Sequence, residues 1–211
     1  MFGRVVEQHQ DESFSGIENA RLYAKSAEKS KMRYRAFLHN LAALNIQGRY
    51  LEIGAGPGVL TSEVSKRQAS VEITALEISQ DMTNVGREYV AEKGLEGKIE
   101  FVVGDAEDEA LIKTLGKFNL VYCTYTLHHW ANPESAILNL VQMVADGGIL
   151  YLYDLKRVWW LHWVPIHNGF FNSIRAAYLP TEMKRMLDKP GFEDFEIKNE
   201  FPFMQSIIIR V

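Results

Sequence analysis

The chain of 211 residues contains a single cysteine, six prolines and no long apolar run, and each shortage removes a class of protein. With Cys123 alone, no internal disulfide can close, and there is no thiol cluster to hold structural zinc or relay electrons. No stretch approaches the ~20 apolar residues that span a bilayer. The start, Met1-Phe2-Gly3-Arg4 followed by Glu7 and Asp11, lacks the apolar core of a signal peptide, so the expected location is the cytoplasm. A net charge of -4 and a pI near 5.9 give no strong pull toward nucleic acid, which makes a small molecule the default partner. Internal repeats, low-complexity tracts and linkers are also lacking. The remainder, 47% hydrophobic and 24% charged, suits one α/β domain with a substantial core over 1–211.

The stretch that organises this chain is Leu51-Glu52-Ile53-Gly54-Ala55-Gly56-Pro57-Gly58. The apolar run Tyr50 to Ile53 reads as a buried strand. The glycines then turn the chain into a helix near Val59, with Cβ atoms missing at Gly54 and Gly56 where something must come close. A tight strand-to-helix turn would look the same, but its neighbours add weight to a nucleoside cofactor. A second apolar run, Val71 to Leu76, ends in Glu77, 23 residues after Gly54, where an acid can accept hydrogen bonds from two ribose hydroxyls. Val59 stands where a dinucleotide fingerprint wants Gly or Ala, which disfavours NAD.

These residues resemble the class I S-adenosylmethionine-dependent methyltransferases, in particular small-molecule members of the methyltransferase type 11 kind, over about Tyr50 to Val211. The resemblance implies a Rossmann-like α/β fold: a seven-stranded mixed sheet in the order 3-2-1-4-5-7-6, helices on both faces, the last strand antiparallel beside the fifth. It implies S-adenosyl-L-methionine as cofactor, S-adenosyl-L-homocysteine as product, and methyl transfer to O, N, S or C of a small-molecule acceptor. By the same resemblance Gly54, Ala55, Gly56 and Gly58 lie beside the methionine portion and Glu52 near its ammonium group. Glu52 is odd in a buried strand in any case, and a structural hydrogen bond is the competing account. Glu77 and Ile78 fall at the ribose. Asp105, with Ala106, follows the third strand, Ile99 to Val103, and takes the adenine amino group by position; it is equally suited to cap a helix from Glu107 to Leu115.

The fourth strand, Phe118 to Cys123, runs into Thr124-Tyr125-Thr126-Leu127-His128-His129-Trp130. Ligands of open α/β sheets bind beyond the carboxyl ends of strands, so Cys123 and Thr124 are expected against the cofactor and Tyr125, His128 and His129 at the chemistry. A histidine there can take a proton at neutral pH. His129 is placed narrowly ahead of His128, because one residue of register exchanges which ring faces the pocket. No metal is expected, since adjacent histidines without HxH or HxxxH spacing are poor joint ligands.

Helices over Ile17 to Leu44, in a cap over 1–47, place Tyr23 and Tyr34 as lid or core residues. The basic cluster Lys29, Lys31, Arg33 and Arg35 reads as a solvated face. Met1 to Ser15 has no period and is either loose or folded over a ligand. Asp146-Gly147-Gly148 reads as a turn into a fifth strand, Ile149 to Tyr153, which ends in Asp154. The insertion 155–180 concentrates three of four tryptophans: Trp159 to Trp163 either wall the acceptor pocket, touch a lipid surface, or pack on the sheet. Thr181 is expected to cap a helix over Glu182 to Leu187, before two strands at 192–199 and 203–211. Two other functions share these features: a cofactor-binding partner subunit without turnover, and an NAD-dependent oxidoreductase.

Overall fold

The computed structural model describes Arg4, residues 16–163, Pro165 and residues 169–211. The expectations for the rest of Met1 to Ser15, and for Val164, Ile166 and His167 in the insertion, lie outside these residues. The strands are β1 (Arg49–Ile53), β2 (Glu72–Glu77), β3 (Ile99–Val103), β4 (Phe118–Thr124), β5 (Val144–Leu155), β6 (Phe195–Glu200) and β7 (Met204–Arg210). They form one sheet in the order β3-β2-β1-β4-β5-β7-β6, as expected. β1 to β5 run parallel, and β7 lies antiparallel between β5 and β6.

Parallel strands covered on both faces read as continuous apolar runs, and every residue of β1 after Arg49 is buried. The pleat sorts them. Tyr50, Tyr122, Tyr151 and Tyr153 face one layer, built from α1 (Ile17–Lys29), α2 (Arg35–Leu44), α3 (Val59–Arg67) and α4 (Gln80–Glu92). Leu51, Ile53, Val121 and Leu152 face the other, built from α5 (Glu109–Leu115), α6 (Pro133–Gln142) and α8 (Pro180–Asp188). The cap docks through Phe37 of α2, which is fully buried with its ring centroid 5.3 Å from Tyr151, 5.5 Å from Tyr122 and 5.6 Å from Tyr153.

Three local expectations are corrected. Asp108, not Asp105, caps α5: its Oδ1 accepts from the N–H groups of Ala110 and Leu111 at 2.9 and 3.2 Å. Thr181 is not the cap of α8, which begins a residue earlier at Pro180. There the Glu182 carboxylate reaches back to accept from Leu179 N–H at 2.8 Å. Asp146-Gly147-Gly148 is not a turn before β5 but part of it, an irregularity where pairing jumps from Phe118↔Val144 to Leu120↔Ile149. β5 also continues past Tyr153, so Asp154 sits inside the strand.

Phe37→Ala removes the ring that joins cap to sheet. It is expected to cost roughly 3–5 kcal/mol, which lowers the melting temperature by about 10 °C in a calorimetric scan of a chain this size.

Candidate active site

β1, β2 and β4 end at one edge of the sheet, and each ends in polar groups. After Ile53 the loop is tied to β2, with the N–H groups of Gly54 and Ala55 donating to Leu76 carbonyl oxygen at 2.8 and 3.2 Å. Its glycines do different work. A Cβ on Gly54 would come 2.7 Å from Thr126 Oγ1, so this glycine lets the β4 loop pack. A Cβ on Gly56 would meet nothing nearer than Tyr23 Cε1 at 3.9 Å, and its φ of +54° suits glycine. The room over the loop is therefore at Gly56. Gly58 precedes α3 and leaves space for the Phe101 ring. Ala55 is buried beside it.

Two acids flank this opening. Glu77, at the end of β2, accepts from Gly56 N–H at 2.8 Å through one oxygen and from Ser79 N–H at 2.9 Å through the other. Burial holds its carboxyl above the ordinary value, against these backbone donors. Ile78 N–H also acts on it, and of the carboxylate's roughly four lone-pair sites part of the capacity remains for a ribose hydroxyl. Glu52, only 2% exposed, accepts from Tyr122 Oη at 2.9 Å. Burial pushes its pKa up to about 7, with the Glu77 charge adding to it, while the hydroxyls of Thr61 and Tyr122 pull the other way. Among the described residues no cation pairs with Glu52, which suits it to an ammonium ligand.

Ile78 lies exposed next to Glu77. Asp105 is also exposed; one of its oxygens accepts from Glu107 N–H at 2.8 Å, and Ala106 is buried below it. Cys123 is fully buried in the layer of α5 and α6, between β1 and β5, and burial raises its thiol far above the usual range. Thr124 is half-buried, its carbonyl accepting from Thr126 Oγ1 at 3.0 Å.

Beyond Thr124 the chain turns at Tyr125, a non-glycine residue with φ of +55°. Its ring lies 6.2 Å from that of Tyr34 and 6.4 Å from that of Tyr153, and burial pushes its pKa up to about 12. A short 3-10 turn, Leu127–His129, follows. His128 is 4% exposed, and the fully buried Asp154 engages it twice. One carboxylate oxygen accepts from His128 N–H at 2.8 Å, and the other lies 2.8 Å from Nδ1. His129 is exposed, its ring centroid 4.0 Å from that of His128.

From the N-terminal helices, Tyr23 is the nearest group to the space over Gly56, while Tyr34 is buried in the core with its ring against that of Tyr125. Leu161 packs with Leu155, Ile174 and Ala177 against Tyr125, whereas Trp159 and Trp163 are 69% and 71% exposed. Asp154 and Arg4 were missed as site residues in the sequence. Asp154 carried the same signal as Glu52, a carboxylate closing an apolar strand. Arg4 carried none: its Nε donates to Ala176 carbonyl oxygen at 2.7 Å, Nη2 to that of His128 at 3.3 Å, and its guanidinium lies 3.7 Å from the Tyr178 ring centroid. The described residues contain no group of three potential metal ligands.

Residues 51–152 match the family model described as a methyltransferase domain, on a sheet whose strand order is that of the family. Over these residues, just under half of the chain, the sequence is similar to methyltransferase domains. The domain is 29% identical over 109 residues to a ubiquinone biosynthesis O-methyltransferase of Azoarcus sp. strain BH72, covering 52% of this chain and 45% of that protein. The chain thus spans less than half the length of the first curated relatives it matches. Its fold is similar to that of human N-acetylserotonin methyltransferase in complex with SAM, with a TM-score of 0.72 and 17% identity over 99% of this chain and 60% of that one. It is likewise similar to the plantazolicin methyltransferase in complex with a triazolic desmethylPZN analogue and SAH, with a TM-score of 0.72 and 16% identity over 95% and 94%. Open space at Gly56, an unpaired buried acid at Glu52 and spare acceptor sites on Glu77 fit that cofactor. Among the described residues no helix is long and apolar enough to cross a membrane.

The raised pKa of Glu52 sets a sign. The folded protein holds a proton between pH 4.5 and about 7 that the unfolded chain has lost, so this group's contribution to stability falls as pH rises through that window. A ligand ammonium needs the ionised form. Affinity for S-adenosylhomocysteine in calorimetry is therefore expected to rise from pH 5 and level off above about 7, and Glu52→Gln should both weaken binding and flatten that rise. Glu77→Ala should weaken the same ligand by roughly 1.5–3 kcal/mol for each charge-assisted hydrogen bond it removes. Unchanged affinity would take Glu77 out of the site.

Proposed function

We propose that this domain transfers a methyl group from S-adenosylmethionine to a nucleophilic atom of a small-molecule acceptor. The observation that carries this reading is the meeting, at one sheet edge, of the open glycine flanked by Glu52 and Glu77 with the buried His128–Asp154 pair. The cofactor, when bound, supplies a methyl group on a sulfonium that is already a good leaving group. The chain's task is then alignment, exclusion of water and, for a protonated acceptor, removal of one proton.

Glu52 holds the ammonium end and Glu77 the ribose hydroxyls, with Asp105 and Ile78 at the base and the Gly54 to Gly58 loop beneath. Asp154 is an acceptor only, so its contact with Nδ1 makes that nitrogen the donor and leaves Nε2 as the basic atom of His128. That tautomer is assigned from the hydrogen bonds. This oriented partner favours His128 as the base over His129, which lies stacked against it nearer to solvent. Tyr125 walls the acceptor side. Residues 1–47 act as a cap and 155–180 as an acceptor-side insertion, with Leu161 toward the site. The exposed rings of Trp159, Trp160 and Trp163 support contact of this insertion with an apolar surface, such as a membrane interface.

His128→Gln is expected to lower kcat for a hydroxyl acceptor by roughly 100-fold while affinity for S-adenosylhomocysteine holds within about twofold. Asp154→Asn should lower it in the same direction. A matching loss of cofactor affinity would make the pair structural. Turnover of no member of a broad acceptor panel by a protein that binds S-adenosylmethionine would favour a partner subunit without catalysis.

A further inference from the structure

Arg33 is a cation whose neighbours are rings rather than acids. Arg33 lies in the 3-10 turn Lys31–Tyr34 that joins α1 to α2. Its guanidinium carbon is 4.8 Å from the Tyr34 ring centroid and 5.6 Å from that of Tyr125, and Nη2 donates to Tyr34 Oη at 2.6 Å. Among the described residues no carboxylate comes within ion-pair distance of Arg33, although its neighbour Lys31 reaches Glu63 at 3.8 Å. A guanidinium presents five N–H donors in a fork matched to a carboxylate, and the bond to Tyr34 uses one of them.

The position of this fork decides what it meets. Tyr125 directly follows β4, and Arg33, whose guanidinium carbon lies over its ring, also lines an open surface groove of about 530 Å³ with Met32, Arg35, Ala36 and His39. The groove is therefore cationic, with Arg33 and Arg35 both in its lining. The carboxylate of the cofactor has other donors, since the first N–H groups of α3 carry partial positive charge beside the glycine loop. We propose that Arg33 receives an anionic substituent of the methyl acceptor, so that the acceptor is a planar compound bearing a carboxylate, with its ring against Tyr125. This deepens the methyl-transfer reading and rests on it.

Calorimetry on the full chain tests it in two steps. With S-adenosylhomocysteine alone, Arg33→Gln should leave affinity within about twofold; a tenfold loss would assign Arg33 to the cofactor's carboxylate and overturn the proposal. On protein loaded with S-adenosylhomocysteine, the probes are 3,4-dihydroxybenzoate and catechol, which differ only in the carboxylate. Wild type should bind the acid at least tenfold more tightly, Arg33→Gln should erase that preference, and Arg33→Lys should keep part of it. Equal binding of the two probes, failure of the acid to bind, or a preference that survives Arg33→Gln overturns the proposal. Wild type that does not bind S-adenosylhomocysteine brings down the methyl-transfer reading itself, and this inference with it.

Discussion

Three carboxylates buried at one edge of the sheet are the constraint around which the molecule is arranged. An ionised acid inside a strand costs several kcal/mol unless donors replace water. Glu77 is met by backbone N–H groups, Asp154 by the backbone and ring of His128, and Glu52 by neutral hydroxyls alone. The first two are nearly satisfied and act as anchors: Glu77 fixes the glycine loop, and Asp154 fixes the turn that carries the histidines. Glu52 is the under-satisfied member, and a deficit of that kind is what a cationic ligand can fill.

The cap answers a second problem, the large open face of tyrosines on β4 and β5. Phe37 closes it from above, and the same pair of helices then carries Tyr23 to the loop and Arg33 with Tyr34 to Tyr125. Packing and site are thus joined through one element. The basic run is exposed, as a solvated face should be: Lys31 pairs with Glu63, and Arg33 lays its guanidinium over the Tyr34 ring.

The order of the strands was legible because buried parallel strands are apolar runs punctuated by glycine and acids. What stayed illegible was decided by tertiary partners. Asp105 and Asp108 are chemically alike, and only the direction in which the chain leaves β3 chooses the cap. His128 and His129 differ by one residue of register, and what distinguishes their surroundings is Asp154, 26 residues from His128. The Gly147-Gly148 signal was real but marked an irregularity inside a strand rather than its start. Arg4 reaches a partner 124 residues distant, and no local pattern announces such a contact.

The placement of β7 between β5 and β6 has a consequence for how the molecule comes into being. β5 holds Asp154, and one of its edges is covered only by Met204–Arg210, through seven pairs from Ile149↔Arg210 to Leu155↔Met204. During synthesis everything else at the sheet edge, from glycine loop to histidine turn, is available before these residues emerge. Until they do, β5 is a bare edge of the kind that pairs with other chains, and the strand that orients the His128 turn is unsupported on one side. The growing chain is therefore most aggregation-prone between the emergence of β5 and that of β7, the strand that covers this edge.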